Sequence, residues 1–151
     1  RKDALDEWSQ AEVILRTQCV GAAWELSTIA FLSLDAMGWT GAWKELADRA
    51  PRELQRAKER GDRYTIAVLQ AGGMCFAHLI ADQPEKALLE AEHAIAEWGF
   101  RGFHAQHQNY MRHHALADLY RGNVEAAHHC IESNWPALRR SSMRRVAPTS
   151  R

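Results

Sequence analysis

The chain lacks a net charge: 19 basic residues balance 19 acidic ones over 151 positions. No bulk electrostatic attraction therefore draws it to nucleic acid or to an anionic membrane surface. It also lacks a long apolar run. Hydrophobic residues make up 46% of the chain, yet charges interrupt them well before the length a bilayer demands. No segment has the charged start, apolar middle and small-residue cleavage site of a secretion signal. Cysteine is scarce: Cys19, Cys75 and Cys130 are far apart, odd in number and form no C-x-x-C pair. Free thiols in a reducing cytoplasm are the expectation, so the localisation implied is cytoplasmic. Sustained apolar/polar alternation bounded by turns is missing, which removes β-strands.

Catalytic signatures are missing as well. Ser9, Ser27, Ser33, Ser133, Ser141 and Ser142 sit in no nucleophile elbow. Gly72-Gly73 is followed by Met74 and Cys75, not by the lysine and hydroxyl residue of a phosphate-binding loop. These absences point to a non-enzymatic chain with no cofactor.

What is present is a recurring pattern of small residues. Ala87, Ala91 and Ala94 show it best; Ala4-Trp8-Ala11, Trp43-Ala47-Ala50 and Ala127-Ile131-Asn134 repeat it. In the last three copies in chain order a turn residue stands five places earlier: Gly38, Asp82 and Gly122. The recurrence, about 40 residues, is that of helical repeat arrays. The length suits one domain with a real core. Helical spacing of apolar residues predicts helices over about 3–18, 22–37, 42–60, 63–80, 84–98, 104–120 and 124–134 or beyond, with a last short helix near Leu138 and Met143. Pro51 should kink or break the third, and Pro136 should kink or end the seventh. Gly61 and Asp62 read as a helix stop followed by an N-cap. The glycine pair inside the fourth helix implies close approach of a neighbour, with a hinge as the alternative. Trp8, Trp24, Trp43 and Trp98 fall on apolar stripes and are expected in the core, with Trp39 partly exposed beside a turn. The fold class is all-α: antiparallel helix pairs, seven or eight helices, stacked as a tetratricopeptide-like right-handed solenoid fragment over residues 1–143. Residues 144–151 form a basic, disordered tail. Since Arg1 begins inside a helix with no initiator Met, the chain is expected to be a piece of something longer.

Two features invite chemistry. Six of the eight histidines lie between His104 and His129. His104, His107 and His114 share one region of the sixth helix, and His128 and His129 follow on the next. Imidazoles so clustered suit zinc or nickel, although no cysteine or carboxylate motif completes a ligand set, and packing histidines are the plainer reading. The run Arg139-Arg140-Ser141-Ser142-Met143-Arg144-Arg145 has the composition of a basophilic phosphorylation site; a solvated terminus is the plainer reading.

Several strings carry a family likeness. Gly122-Asn123-Val124-Glu125-Ala126-Ala127 resembles the turn and second helix of a tetratricopeptide repeat. Ile14-Leu15-Arg16 with Cys19 and Trp24-Glu25-Leu26, Arg60-Gly61-Asp62, Gly102-Phe103-His104-Ala105-Gln106-His107, Asp118-Leu119-Tyr120-Arg121-Gly122 and Trp135-Pro136-Ala137-Leu138-Arg139-Arg140-Ser141 are similar, in order and spacing, to the helical C-terminal region of large bacterial serine/threonine kinases of the eukaryotic type. The resemblance covers about residues 11–143. It implies a scaffold for assembly or regulation, with the kinase domain N-terminal to it. No catalytic residue is carried over, since the His-Arg-Asp and Asp-Phe-Gly signatures are absent. It also implies a packing role for His104 and His107. By analogy with repeats whose first helices line a groove, the partner-binding candidates are Arg63, Gln70, Gln106, Asn109, Arg112 and His113. The expected partner is a protein or peptide, with no nucleic acid, no metal and no membrane insertion. A histidine-dependent metal-binding module is the alternative function, and a purely structural spacer is a third.

Overall fold

The computed structural model describes residues 2–99 and 101–145, and the side chains of 5–99 and 101–143. The described residues are all-helical, with no strand. Seven helices follow one another: α1 (Lys2–Gln18), α2 (Ala23–Thr40), α3 (Trp43–Glu59), α4 (63–80), α5 (Pro84–Trp98), α6 (Ala105–Tyr120) and α7 (Val124–Arg140). A 3-10 turn, Ser142–Arg145, closes the described chain. The basic tail assigned to 144–151 thus begins inside that turn, and the rest of it lies outside the described residues.

The turns are set by left-handed backbone positions. Gly21, Gly41, Gly61, Asp82, Gly102 and Gly122 all have positive φ. At three of them the bonding is the same. The N–H of Gly61, Asp82 or Gly122 donates to the carbonyl three residues back, and the next N–H donates to the carbonyl five back. This pair of bonds satisfies the last carbonyls of a helix, and glycine adopts its φ without a Cβ penalty. Asp82 does so at φ 55°, as the short polar side chain of Asp allows. The following helix starts at once. Asp62 Oδ1 accepts the Thr65 N–H at 3.0 Å, and Asn123 Oδ1 accepts the Ala126 N–H at 3.1 Å, each an N-cap that satisfies an orphan donor.

Neither proline breaks or ends its helix. α3 continues through Pro51 and α7 through Pro136. Pro51 is exposed, so the carbonyl of Ala47 that loses its donor lies towards the solvent side. Leu46 and Ala50 before the proline, and Leu54 and Ala57 after it, are all buried. Their shared apolar face holds the two halves in one helix, and packing outweighs the missing hydrogen bond.

α4 is helical from Arg63 to Ile80 but widens to a π turn over Leu69–Gly73. The glycine pair allows neighbours onto the bare backbone. A Cβ on Gly72 would lie 3.4 Å from the His113 ring of α6, and one on Gly73 would lie 3.4 Å from Leu34 of α2. α4 accordingly packs against α2 and α6 as well as its sequence neighbours α3 and α5. One core joins Leu34 and Met37 of α2, Leu46, Ala50 and Leu54 of α3, and Val68, Leu69, Met74 and Phe76 of α4. A second joins Cys75, Ala87, Leu88 and Ala117. Ala87, Ala91 and Ala94 are all buried, so the alanine pattern marks a packed face in α5. In the α3 copy only Ala50 is buried: Ala47 is half-buried, Trp43 is exposed, and Gly38 lies within α2 rather than in a turn. Trp24 is exposed as well, contrary to its expected core position.

Candidate functional site

The six candidate residues do not converge on one open face. α6 carries only two formal charges, Arg112 and Asp118, in 16 residues. That is the pattern of a helix surrounded by protein rather than one facing water. Gln106, Asn109 and His113 are buried, with Gln106 at 0% exposure. They sit inside the molecule and line no groove. Both amide atoms of Gln106 and Nδ2 of Asn109 have no hydrogen-bond partner among the described residues. Asn109 lies against Gly72, its Cβ 3.5 Å from where a Cβ on that glycine would stand.

Arg112 and His113 reach across α4 to α2. The Nδ1–H of His113 donates to the Asn109 carbonyl at 2.9 Å. Its Nε2 stands 3.3 Å from Asp35 Oδ1, at ion-pair distance but off the line of a hydrogen bond. Arg112 Nη2 lies 3.5 Å from Asp35 Oδ2, and its guanidinium lies over the Trp39 ring, 5.7 Å from the centroid. The Trp39 indole N–H donates to Asp35 Oδ1 at 3.3 Å. Burial alone would raise the Asp35 pKa; the His113 ring, the Arg112 guanidinium and the indole outweigh it and hold the carboxyl below its ordinary value. Phe76 stands edge-on to both Trp39 and His113, at 5.4 and 5.3 Å between centroids. α2 and α6 are thereby tied to each other over the glycine pair of α4.

Arg63 and Gln70 come together elsewhere. With Ile66, Ala67, Ala94, Glu97 and Trp98 they line a cavity of about 100 Å³ between α4 and α5. Gln70 is already engaged, its amide donating to Glu90 Oε1 at 3.0 Å. The other Glu90 oxygen faces His78 Nε2. Desolvation raises the Glu90 pKa, but His78, Gln70 and the Lys58 charge together bring it below the ordinary value.

The histidine cluster is wired into packing. The His104 backbone N–H donates to His107 Nδ1 at 3.1 Å, so the His107 proton is on Nε2, which donates to the Gly99 carbonyl at 3.1 Å. Trp98 Nε1–H donates to His104 Nδ1 at 3.1 Å. The two rings thus fix the chain's entry into α6. Burial, reinforced by the neighbouring His104, lowers the His107 pKa against the raising effect of the Gly99 carbonyl. His114 lies 3.2 Å from both Glu92 and Asp118, whereas His128 and His129 are exposed on α7. Among the described residues no group of three or more His, Cys, Asp or Glu is arranged to hold a metal ion. Burial pushes the Cys75 thiol up to about 12 and the Cys130 thiol up to about 11, which disfavours the thiolate form of each.

Sequence reasoning missed Asp35 and Trp39, the α2 partners of Arg112 and His113. Nothing in their spacing marks a contact 77 residues away in the chain. No helix among the described residues is long and apolar enough to cross a membrane. No family model, no curated protein and no solved structure matches the chain.

Proposed function

We propose that this chain is a non-catalytic scaffold that binds a protein or peptide partner, as the helical regulatory region of a large bacterial signalling kinase working in the cytoplasm. Its helices are read as antiparallel pairs stacked in a tetratricopeptide-like right-handed solenoid fragment. The observation that carries this reading is the punctuation of the chain. Each inter-helix turn holds a positive-φ residue, at Gly21, Gly41, Gly61, Asp82, Gly102 and Gly122, with Gly99 a second one in the turn before α6; the turns fall about 20 residues apart, so each helix pair occupies about 40 residues, a period of stacked helical repeats. Reuse of one spacing through unlike sequences is what an array requires and what a bundle does not.

A repeat array acts through its surface. Trp24 and Trp43 are each 58% exposed, and tryptophan is the side chain most enriched among binding hot spots. The reading is tested by co-purifying the partner with the full-length protein, identifying it, and reconstituting the pair from purified components. Trp24→Ser or Trp43→Ser should weaken that pair at least tenfold with an unchanged melting curve. Unchanged affinity in both variants sinks this choice of surface. A full-length protein that keeps its partner and its activity after deletion of the helical region would make the region a spacer.

A further inference from the structure

A second cavity, which shares Trp39 with the α2–α4–α6 contact, opens between α1, α2 and α3. It has a volume of about 660 Å³, and its lining includes Leu5, Met37 and Ala42, the carboxylates Asp6 and Glu45, and the Trp39 ring. That volume is in the range of small-ligand pockets. Thr40, Trp39 and Arg49 are engaged elsewhere, but the carboxylates are not. Neither Asp6 nor Glu45 has a hydrogen bond or ion pair among the described residues. Arg49, the cation in the lining, pairs with Glu12 at 2.5 Å, a carboxylate it shares with Arg16, and makes no ion pair with Glu45 one turn before it. Ser33 also lines the cavity and is 2% exposed. Thr17, Thr28 and Thr40 bond back to helix carbonyls four residues earlier. The Ser33 hydroxyl has no such bond and no other partner among the described residues. Its oxygen is not among the fully enclosed unpaired atoms, so this hydroxyl opens onto the cavity and is free to bond what occupies it.

The geometry points to a binding site for a guanidinium group on an alkyl stem, with the head between Asp6 and Glu45 and the stem along Leu5, Met37 and Ala42. Two free carboxylates select a cation. Among the described residues no group of three metal-ligating side chains is present here or elsewhere, so a divalent ion lacks its ligands. A guanidinium is weakly hydrated, planar and able to bond carboxylates in a bidentate manner, which suits an apolar-walled pocket better than an ammonium does. Trp39 is 54% exposed and lies in the cavity lining, and an aromatic ring is a surface on which a guanidinium packs. This site does not depend on the scaffold reading, and its residues are not those that test that reading.

Titration of the isotope-labelled chain with N-butylguanidinium, followed at the Trp39 indole resonance, tests the site. Saturable shifts are expected, with affinity on the order of 1 mM for so small a ligand. N-butylurea, the neutral isostere, should give none. Asp6→Asn and Glu45→Gln, both at exposed positions, should each weaken binding several-fold, and the double variant should abolish it. Ser33→Ala should weaken it with the carboxylates intact. A short blocked peptide with a central arginine distinguishes sources. Binding at least as tight as the small ligand assigns the site to a partner's arginine side chain, and exclusion of the peptide assigns it to a free small molecule. Absence of a saturable shift, equal response to N-butylurea, or undiminished binding in the double variant overturns the proposal.

Discussion

Replacing Gly38 with alanine should destabilise the protein, although helix propensity alone predicts the opposite. Gly38 lies inside α2, where alanine is favoured over glycine by about 1 kcal/mol. A Cβ at this position would stand 2.4, 2.4 and 2.6 Å from Cδ2, Cε2 and Cζ of Phe76. Carbon atoms in contact sit about 3.5–4.0 Å apart, so the ring must retreat by about 1 Å. Its room is limited. Phe76 is a member of the first core and is buried, with the Trp39 and His113 rings packed perpendicular to it. Overpacking of this kind costs about 1–3 kcal/mol. Set against the propensity gain, the net loss is up to about 2 kcal/mol, or up to roughly 8 °C in melting temperature for a chain of this size. Thermal and urea denaturation of Gly38→Ala measure it. Phe76→Leu in the same chain should recover about 1 kcal/mol relative to the sum of the single changes, since the two sites touch. A Gly38→Ala protein that melts above the parent by the few degrees helix propensity alone predicts would refute the seating of Phe76 on α2.

Three further outcomes are expected. Asp35→Asn should cost about 2 kcal/mol at neutral pH by uncoupling α2 from α6. Because the folded Asp35 pKa lies below its ordinary value of 3.8, the contribution is present above that value and lost as pH falls through the folded one. The variant should therefore show a flatter acid limb in stability against pH, and an unchanged limb would count against the Asp35 tie. His107 has a folded pKa below 6.5, so between the two values the unfolded chain binds more protons and stability rises with pH. Melting temperature should fall from pH 8 to pH 5.5, and His107→Gln, which can accept the same cap bond without titrating, should show a shallower fall; identical slopes would contradict the neutral role of His107. Cys19 is exposed whereas Cys75 and Cys130 are buried. A thiol reagent should therefore label one site in the native protein and three only after unfolding, and three equal native rates would be inconsistent with this packing.

The helices were legible from spacing because an amphipathic period, a capping Asp or Asn and a left-handed glycine act within a few residues of themselves. Asp62, Asn123, Gly61 and Gly122 do in the structure what their local chemistry requires. Local rules failed where tertiary contacts competed with them. Pro51 and Pro136 leave their helices unbroken, and Gly38, which reads as a turn residue, is the place where an aromatic ring meets a helix backbone. The partner-binding candidates show the limit most plainly. Polar side chains on a first helix suggest a wet groove, and the sparse charge on α6 was the signal that it lies inside. An all-helical chain divided by regularly spaced turns follows from neighbouring residues alone. Only the tertiary structure decided that Gln106, Asn109 and His113 are buried, that Asp35 meets Arg112 and His113, and that Asp6, Glu45 and Ser33 share one cavity. Turn and helix preferences are properties of neighbouring residues, whereas these meetings depend on how closely helices approach, and the bare backbone of Gly72 and Gly73 sets that distance for α2, α4 and α6.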